Sequence, residues 1–210
     1  MKETSYYESE REDIITLIPY EVRRLLDVGC GFGLMGKRLR KERNNNIEVV
    51  GIDNEERVIN IARNNVDEFI IGDVEDLKLP FEQGYFDCLV YGDILEHLKN
   101  PWKLLKDHAY YLKKGGYCIA SIPNISHYSI IKGLLNNKWQ YTSSGVMDGT
   151  HLRFFTLDGI RDMFRDAGYA IEEEKRYIRA SKSKRFLNKI LGGRLNYLLT
   201  EQYIIRARFN

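Results

Sequence analysis

Residues 25–33, LLDVGCGFG, decide the fold of this chain. The first four residues are mostly apolar and are typical of a buried strand, and three glycines then follow at alternate positions. Glycine tolerates positive φ and lets the backbone approach a ligand closely. The stretch therefore predicts a strand that ends in a ligand-binding loop, at the strand end where doubly wound sheets hold their ligands.

Outward from this stretch, short apolar runs alternate with amphipathic segments. The predicted strands are residues 24–28, 47–52, 68–71, 86–91, 117–122, 169–177 and 202–209, and the predicted helices are 34–41, 55–64, 101–112 and 156–167. Strand–helix alternation of this kind predicts an α/β fold with a mostly parallel sheet and helices on both faces. We expect Gly115-Gly116 to stop the helix that begins at Pro101, and Thr156 or Asp158 to cap the last helix.

The bulk properties exclude several classes of protein. The chain has 210 residues, 43% of them hydrophobic, which suits a single domain over residues 1–210 with a sizeable core. The net charge of +2 is too small to indicate a nucleic-acid partner. We find no apolar run of the roughly 18 residues that a membrane span needs, and no secretory signal. The three scattered cysteines suit buried thiols in a reducing cytoplasm, where we expect the protein to be found.

Two carboxylates indicate what the loop would bind. Asp53 ends the second strand, where a carboxylate can accept hydrogen bonds from both hydroxyls of a ribose, and Asp73 follows the third strand. Residues 31–36 formally match the dinucleotide pattern GxGxxG, but strand 1 has already ended at Gly29. Aligned on Gly29, the third glycine position holds Leu34, which disfavours an NAD(P) dehydrogenase.

At this point the chain resembles the class I S-adenosylmethionine-dependent methyltransferases, from about Tyr6 to the C-terminus. LLDVGCGFG is similar to the first motif of that family, VVGID to its acidic second motif and GDVEDLKLPF to its third. YFDCLVYGDILEHLKNP and LLKDHAYYLKKGGYCIASIPN resemble the region of the fourth and fifth strands. The resemblance implies a Rossmann-like seven-stranded sheet of order 3-2-1-4-5-7-6 with strand 7 antiparallel. It also implies S-adenosylmethionine as cofactor and S-adenosylhomocysteine as product.

The resemblance also assigns the cofactor-binding residues. The glycine loop would hold the methionine part, Asp53 the ribose and Asp73 with Val74 the adenine, while residues 91–93 would lie near the sulfonium. The full set of predicted cofactor-binding residues is Asp27, Gly29, Cys30, Gly31, Gly33, Asp53, Asn54, Asp73, Val74, Tyr91, Gly92 and Asp93. Asp27 has an alternative role, which is to cap the amides of the loop.

Methyl transfer is an in-line displacement, so a base is needed only where the nucleophile must lose a proton. The candidate catalytic residues are His97, after strand 4, and His151, in the polar and aromatic segment before the last helix. Asp93, Glu96, His97 and His151 also resemble the metal site of ubiquinone-type O-methyltransferases and small-RNA 2′-O-methyltransferases. The first acid is here Asp rather than Glu, one methylene shorter, so no metal ligand is assigned from the sequence.

Three segments depart from a minimal domain. Residues 123–155 are a long insertion that we interpret as a cap on the acceptor side, and their HLRFFT segment resembles methyltransferases of glycan biosynthesis. Residues 178–200 are interpreted as a basic helical insertion, within a stretch, 175–194, that has eight Lys and Arg and no acid. That stretch suits either a solvated helix or a peripheral contact with anionic lipid. Near the N-terminus, a helix after Tyr6 and Tyr7 would close over the cofactor.

The sequence therefore predicts an S-adenosylmethionine-dependent methyltransferase that acts on an oxygen of a small molecule or glycan, including a lipid-linked sugar. One alternative is a metal-assisted small-RNA or quinone-type O-methyltransferase. A second alternative, from another class, is a non-catalytic scaffold that binds S-adenosylmethionine. Nucleic acid is not the expected partner.

Overall fold

The structure is a computed structural model that describes residues 10–178, 181 and 188–210. It contains one seven-stranded sheet of order β3-β2-β1-β4-β5-β7-β6, which confirms the predicted order. Strand β7 runs antiparallel to both β5 and β6, whereas β1 to β5 are mutually parallel. The strands are β1 (Arg24–Val28), β2 (Glu48–Asp53), β3 (Glu68–Ile71), β4 (Phe86–Gly92), β5 (Leu112–Pro123), β6 (Tyr169–Ile178) and β7 (Thr200–Phe209).

Helices follow most of the predicted positions, but two of them are shorter than expected. The α-helices are α1 (Glu12–Ile15), α2 (Leu34–Glu42), α3 (Ile59–Ala62), α4 (Pro101–His108), α5 (Tyr128–Leu135), α6 (Leu157–Asp166) and α7 (Asn196–Leu199). The predicted helix 55–64 is a 3₁₀ turn, Glu56–Val58, followed by α3. The predicted helix 101–112 ends at His108, and a second 3₁₀ turn leads directly into β5.

The expected helix stop at Gly115-Gly116 is wrong, because both glycines lie inside β5. The pairing of β4 with β5 steps from Phe86↔Leu112 to Cys88↔Tyr117, so β5 holds extra residues at this point. Gly115 has φ +73°, and a Cβ at Gly116 would lie 2.8 Å from the carbonyl oxygen of Lys113. The glycines therefore permit a bulge in a long strand instead of ending a helix.

The hydrophobic core lies on both faces of the sheet. One layer packs α4 and α6 onto β1, β4 and β5, with Leu105 and Phe164 fully buried. The other layer packs α1 and α2 onto the opposite face, through Ile14 and Leu39. Helices on both faces explain why the central strands are apolar throughout rather than alternating.

Side-chain caps set the start of two helices that flank the site. The Asn100 side chain accepts a hydrogen bond from the Lys103 amide at 3.1 Å, and Pro101 opens α4. Thr156, one of the two predicted caps, accepts from the Gly159 amide at 3.2 Å and begins α6. Both caps satisfy amides that the first helical turn leaves without partners.

Several sequence predictions fall wholly or partly outside the described residues. These are the N-terminal helix at Tyr6 and Tyr7, and the part of the basic insertion that contains Arg179, Lys182, Lys184, Arg185, Phe186 and Leu187. Among residues 10–178, 181 and 188–210, no helix combines the length and the apolar character that a membrane crossing requires.

Candidate functional site

A cavity of about 410 Å³ opens at the carboxyl ends of β1, β2 and β3. Five of the predicted cofactor residues line it, as does one candidate catalytic residue: Gly29, Asp53, Asn54, Asp73, Val74 and His97. Parallel strands end at the same edge of a sheet, which is why residues so distant in sequence meet here. The side chain of Asp73 also accepts a hydrogen bond from the Glu75 amide at 3.0 Å, which shapes the loop at the far end of the cavity.

Asp53 connects the glycine loop to the second strand. One of its carboxylate oxygens accepts from the Gly31 amide at 2.8 Å, and the other accepts from the Glu55 amide at 2.9 Å. Burial raises the pKa of this carboxyl, although these backbone hydrogen bonds oppose the rise. Asp53 thus orders the loop while it lines the cavity, so it has a structural role in addition to any contact with a ligand.

The glycine loop needs glycine at its first position. Gly29 has φ +73°, and a Cβ built on it would lie only 2.0 Å from the Cδ1 atom of Ile94. Gly31 and Gly33 also have positive φ, and Gly33 is the residue at which α2 starts. Gly31 and Gly33 do not line the cavity, so their contribution is to the shape of the loop.

Asp27 and Cys30 lie behind the loop rather than in the cavity. Asp27 is 5% exposed, and burial raises the pKa of its carboxyl to about 7, an effect that the nearby Arg11 guanidinium opposes. Burial also raises the pKa of the Cys30 thiol well above its ordinary value. A thiol in this state is a poor nucleophile, which agrees with a packing role for Cys30.

Tyr91 does not reach the cavity. Its ring is fully buried in the α4 layer of the core, and its hydroxyl lies 2.9 Å from Nδ1 of His108. Any contact of Tyr91 with the cofactor would therefore come from its backbone at the end of β4, and the prediction that residues 91–93 lie near the sulfonium stays a prediction. In β4, side chains alternate between the two faces of the sheet, and Tyr91 faces the core layer.

Asp93 lies at the end of β4 in a network that the sequence did not reveal. Its carboxylate accepts hydrogen bonds from Arg11 at 2.9 Å and Ser121 at 2.5 Å, and also from Gln202. Asp93 has φ +58°, an uncommon conformation for a residue other than glycine. A Cβ at Gly92 would lie 2.9 Å from the Arg11 guanidinium, so this arginine covers the strand end. No local pattern predicts the contacts of Arg11 with Asp93 and Ser121, because these residues lie after β4 and in β5, far from Arg11 in the chain.

Glu96, His97 and His151 converge beside the cavity. Their potential ligand atoms all lie within 4.8 Å of one another. The two imidazole rings are 4.8 Å apart, and Nε2 of His151 is 3.9 Å from Oε1 of Glu96. Glu96 is 1% exposed and His151 is 9% exposed, so two of the three groups are buried. Asp93, the fourth member of the resemblance to a metal site, points instead to Arg11 and Ser121.

Backbone carbonyls determine which nitrogen of each imidazole carries the proton. Nδ1 of His97 lies 3.1 Å from the carbonyl oxygen of Thr150, and Nδ1 of His151 lies 3.1 Å from that of Val146. A carbonyl only accepts, so each Nδ1 donates and each neutral ring has its lone pair on Nε2. Two lone pairs and a carboxylate thus meet in one cluster, an arrangement that a proton or a cation stabilises.

An aromatic series leads from this cluster into the cap insertion. His151 lies 6.4 Å from Phe154, Phe154 lies 5.5 Å from Trp139, and Trp139 lies 6.3 Å from Tyr141, measured between ring centroids. All of these rings belong to the cap insertion, residues 123–155. The cap therefore offers planar apolar surface next to the polar cluster.

The sheet order, the antiparallel β7 and the cavity at the strand ends define the class I S-adenosylmethionine-dependent methyltransferase fold. A family model described as a methyltransferase domain matches residues 6–174, which is most of the chain, and the chain belongs to that family. S-adenosylmethionine is the cofactor of this fold and family. The sheet also differs from the 3-2-1-4-5-6 order of dinucleotide-binding domains, which removes the dehydrogenase alternative.

Relatives of known name share part of the chain. It is 28% identical over 164 residues to the ubiquinone biosynthesis O-methyltransferase of Cereibacter sphaeroides, covering 74% of this chain and 64% of that protein. It is 24% identical over 159 residues to the protein of the same name from Acinetobacter baylyi, covering 72% of this chain and 65% of that protein. The chain thus matches less than two thirds of the length of these relatives.

Solved structures share the fold over nearly the whole chain. An S-adenosylmethionine-dependent methyltransferase from Archaeoglobus fulgidus superposes with a TM-score of 0.68 at 22% identity, covering 97% of this chain and 96% of that one. A second methyltransferase of this kind, from Mesorhizobium loti, has a TM-score of 0.63 at 16% identity, and the match covers 96% of this chain and 98% of that one. At these identities the likeness concerns the fold alone.

Proposed function

We propose that this chain is an S-adenosylmethionine-dependent O-methyltransferase that acts on a hydroxyl group of a small, ring-bearing acceptor. The observation that carries the proposal is the convergence of Glu96, His97 and His151 beside the cavity. Methyl transfer to a hydroxyl oxygen needs a group that accepts the hydroxyl proton or lowers the pKa of the hydroxyl. This cluster contains groups suited to that task. The aromatic series in the cap supports an acceptor with a planar ring.

The cofactor would lie across the ends of three strands. Asp53 and Asn54 would bind the ribose, while Asp73 and Val74 would border the adenine, since all four line the cavity. The methionine part would lie against Gly29, which lines the cavity. Arg11 is the residue that the structure adds beside the predicted cofactor residues, because it bonds Asp93 and covers the end of β4 at Gly92.

His97 is the residue we propose as the group that receives the acceptor proton. It lines the cavity, and because Nδ1 donates to the Thr150 carbonyl, Nε2 is the ring nitrogen that would accept the proton. Glu96 and His151 would stabilise the imidazolium that forms. Alignment of the acceptor oxygen with the methyl group would supply most of the rate acceleration. Proton removal by the base would increase the rate by a further ~10²–10⁴-fold.

The same cluster supports a second candidate, in which a divalent cation assists the transfer. One carboxylate and two imidazoles are a fitting donor set for such an ion, and both imidazoles are oriented by backbone carbonyls, as metal-ligating histidines commonly are. A cation held there would lower the pKa of a bound hydroxyl. Glu96, His97 and His151 are the residues that would hold it. The names of the quinone-type relatives are compatible with this candidate.

Other acceptors stay predictions. A glycan or a lipid-linked sugar is supported as acceptor by the resemblance of the HLRFFT segment, residues 151–156. A small-RNA acceptor lacks support from charge, since the chain has a net charge of only +2. A non-catalytic scaffold would bind S-adenosylmethionine without releasing a methylated product, and the experiment below separates it from an enzyme.

The test is to supply S-adenosylmethionine with a tritiated methyl group and to follow the label in an extract of the source cells. We expect label in small, organic-soluble products as base-stable ethers. Glu96→Gln and His97→Gln should each lower this transfer by ~10²-fold or more. Both variants should still bind S-adenosylhomocysteine, because neither removes Asp53. His127→Gln, at a histidine outside the cluster, is the matched control.

Three outcomes would contradict the proposal. Label in RNA or protein would show that the acceptor is a macromolecule rather than a small molecule. Cofactor binding without any labelled product would favour the non-catalytic scaffold. Full transfer by the His97 variant would remove that residue as the base. The cation candidate is tested on chelator-treated protein, where Mn²⁺ should raise the melting temperature of the wild type but not that of His151→Gln.

A further inference from the structure

Helix α5 and the loop that follows it form a strongly exposed apolar segment, residues 128–141, which we call the apolar arm. Five large apolar side chains of the arm are exposed: Ile131 (38%), Leu134 (50%), Leu135 (83%), Trp139 (43%) and Tyr141 (56%). Against the part of the chain that the structure describes, no residue of α5 is buried. Contiguous apolar surface of this kind is typical of an interaction site.

A comparison with α6 shows that the exposed apolar face of α5 is unusual within the molecule. Both helices are amphipathic, but α6 buries its apolar face through Ile160, Met163 and Phe164. In α5, Ile130, Ile131, Leu134 and Leu135 share one face because they recur at helical spacing. Ile130 is half-buried, but Ile131, Leu134 and Leu135 are exposed, so most of the apolar side of α5 has no partner in the described chain.

The charges around the arm indicate the kind of partner. Between Ile125 and Met147 the only charged residues are Lys132 and Lys138, and both are exposed. A second segment beside it has the same character, since residues 188–199 expose Ile190 and Leu191 together with Lys189 and Arg194.

The two segments leave the sheet at neighbouring points. Asn124, four residues before α5, donates its side-chain amide to the carbonyls of Tyr197 and Thr200, both at 2.8 Å. The backbone amide of Asn124 donates to the Glu201 carbonyl at 2.9 Å. Both apolar segments carry only positive charge, and both are therefore attached where β5 ends and β7 begins.

We propose that the apolar arm docks on an anionic lipid surface, with residues 188–199 as a second contact. Amphipathic helices with Lys on the polar side and aromatic residues near the apolar side lie in the headgroup region of bilayers. Lys132 and Lys138 would be attracted to anionic headgroups while the leucines enter the acyl boundary. Docking would bring the cap insertion, which also carries His151, to the membrane surface. The inference does not depend on which acceptor is methylated.

A second copy of the chain fits the arm less well. Self-association of this kind usually has twofold symmetry, in which the same patch forms both sides of the interface. Each side would then bring Lys132 and Lys138 to the interface, and the arm has no acid on either side to compensate them. A lipid surface supplies the opposite charge directly.

The experiment is co-sedimentation of the full chain with vesicles. We expect the protein to pellet with vesicles of phosphatidylcholine and ~30% phosphatidylglycerol, and at least tenfold less with phosphatidylcholine alone. Raising the salt concentration should weaken the binding, because the ionic part is screened. Absence of the wild type from the anionic pellet would overturn the proposal.

The matched variants compare apolar side chains inside and outside the arm. Ile131→Ser/Leu134→Ser/Leu135→Ser should bind anionic vesicles at least tenfold more weakly than the wild type. The control, Tyr20→Ser/Ile61→Ser/Tyr110→Ser, removes three apolar side chains that are exposed elsewhere and should bind like the wild type. Equal binding by both triple variants would place the lipid contact outside the arm and refute the proposal.

Two further measurements cover the case in which the triple variant folds poorly. Lys132→Glu/Lys138→Glu keeps the apolar face and should lose the preference for anionic vesicles. In Trp102→Phe, Trp139 is the remaining tryptophan, and its emission should shift to shorter wavelength when anionic vesicles are added. Unshifted emission, or a wild-type dimer that the arm variants convert to monomer without vesicles, would show that lipid is not the partner.

Discussion

Asp27 is the residue at which burial and charge oppose each other most directly. Its carboxyl is 5% exposed, and desolvation raises its pKa to about 7 while the Arg11 guanidinium pulls it down. The folded chain therefore binds this proton more tightly than the unfolded chain, whose carboxyl has an ordinary pKa near 4. Stability from the protonated form is complete below the unfolded pKa and is lost as the pH rises through about 7.

This linkage predicts a measurable difference between the wild type and Asp27→Asn. From pH 5 to pH 8 the wild type should lose roughly 2–3 kcal/mol relative to the variant, because only the wild type must ionise a buried carboxyl. Melting temperatures by calorimetry at several pH values would show it, with a relative loss of roughly 5–10 °C. Parallel pH curves for the two proteins would mean that Asp27 is ionised in the fold at pH 5.

At the same scale, the sequence located some site residues and missed others. Asp53 and Asp73 were predictable because Asp53 ends one apolar strand and Asp73 lies two residues after another, and strand ends meet at one edge of a parallel sheet. Arg11 was not predictable, because its partners Asp93 and Ser121 are far from it in the chain. The sequence did not indicate that the Tyr91 side chain lies in the core, because the face that a strand residue occupies depends on which layer of helices packs there.

Helix α6 is the element that follows the His151 segment and anchors it to the core. It begins at Thr156, whose side chain accepts from the Gly159 amide, and it buries Ile160 and Phe164. The start of α6 thus limits how far the cap insertion can move. Gly115-Gly116 illustrates the opposite case, where a local pattern that suits a helix end is used as a bulge in β5.

Removal of the Thr156 cap should destabilise the fold without touching the cavity. Thr156→Ala should cost about 1 kcal/mol, because one amide of the first turn loses its acceptor. This corresponds to a fall of roughly 2–4 °C in melting temperature, and Thr156→Ser should restore most of it. The dissociation constant of S-adenosylhomocysteine, by calorimetric titration, should stay within twofold. A large loss of affinity in Thr156→Ala would show that α6 positions the cofactor site directly.

At the scale of the whole molecule, the cavity is bordered by five separate segments of the chain. They are 28–29, 52–57, 72–75, 94–99 and 150–152. A ligand that binds only the folded state stabilises it, by ~2.7 kcal/mol at one hundred times its dissociation constant. The effect on local opening should be largest where the ligand is in contact.

Hydrogen exchange with S-adenosylhomocysteine should therefore show protection in these five segments, with little change in β6 or at the start of α5. The comparison of free and bound protein by mass spectrometry would map it. Protection confined to β5 and β7, away from the cavity, would place the cofactor elsewhere. Asp53→Ala should reduce the protection throughout, since it removes both the proposed ribose contact and the support of the Gly31 amide.

The sequence alone determined the alternation of strands and helices, the glycine loop after the first strand, and the strand ends where Asp53 and Asp73 lie. These properties depend on local apolar runs, on glycine and on chain connectivity, which one sequence displays directly. The sheet order and the antiparallel last strand were expected only from the resemblance to the class I methyltransferases. Only the tertiary structure decided that Asp93 bonds Arg11 rather than joining Glu96, His97 and His151, and that most of the apolar face of α5 is exposed in the described chain. Those contacts arise between distant segments, and their geometry is set by how whole layers pack rather than by any residue's neighbours in the chain.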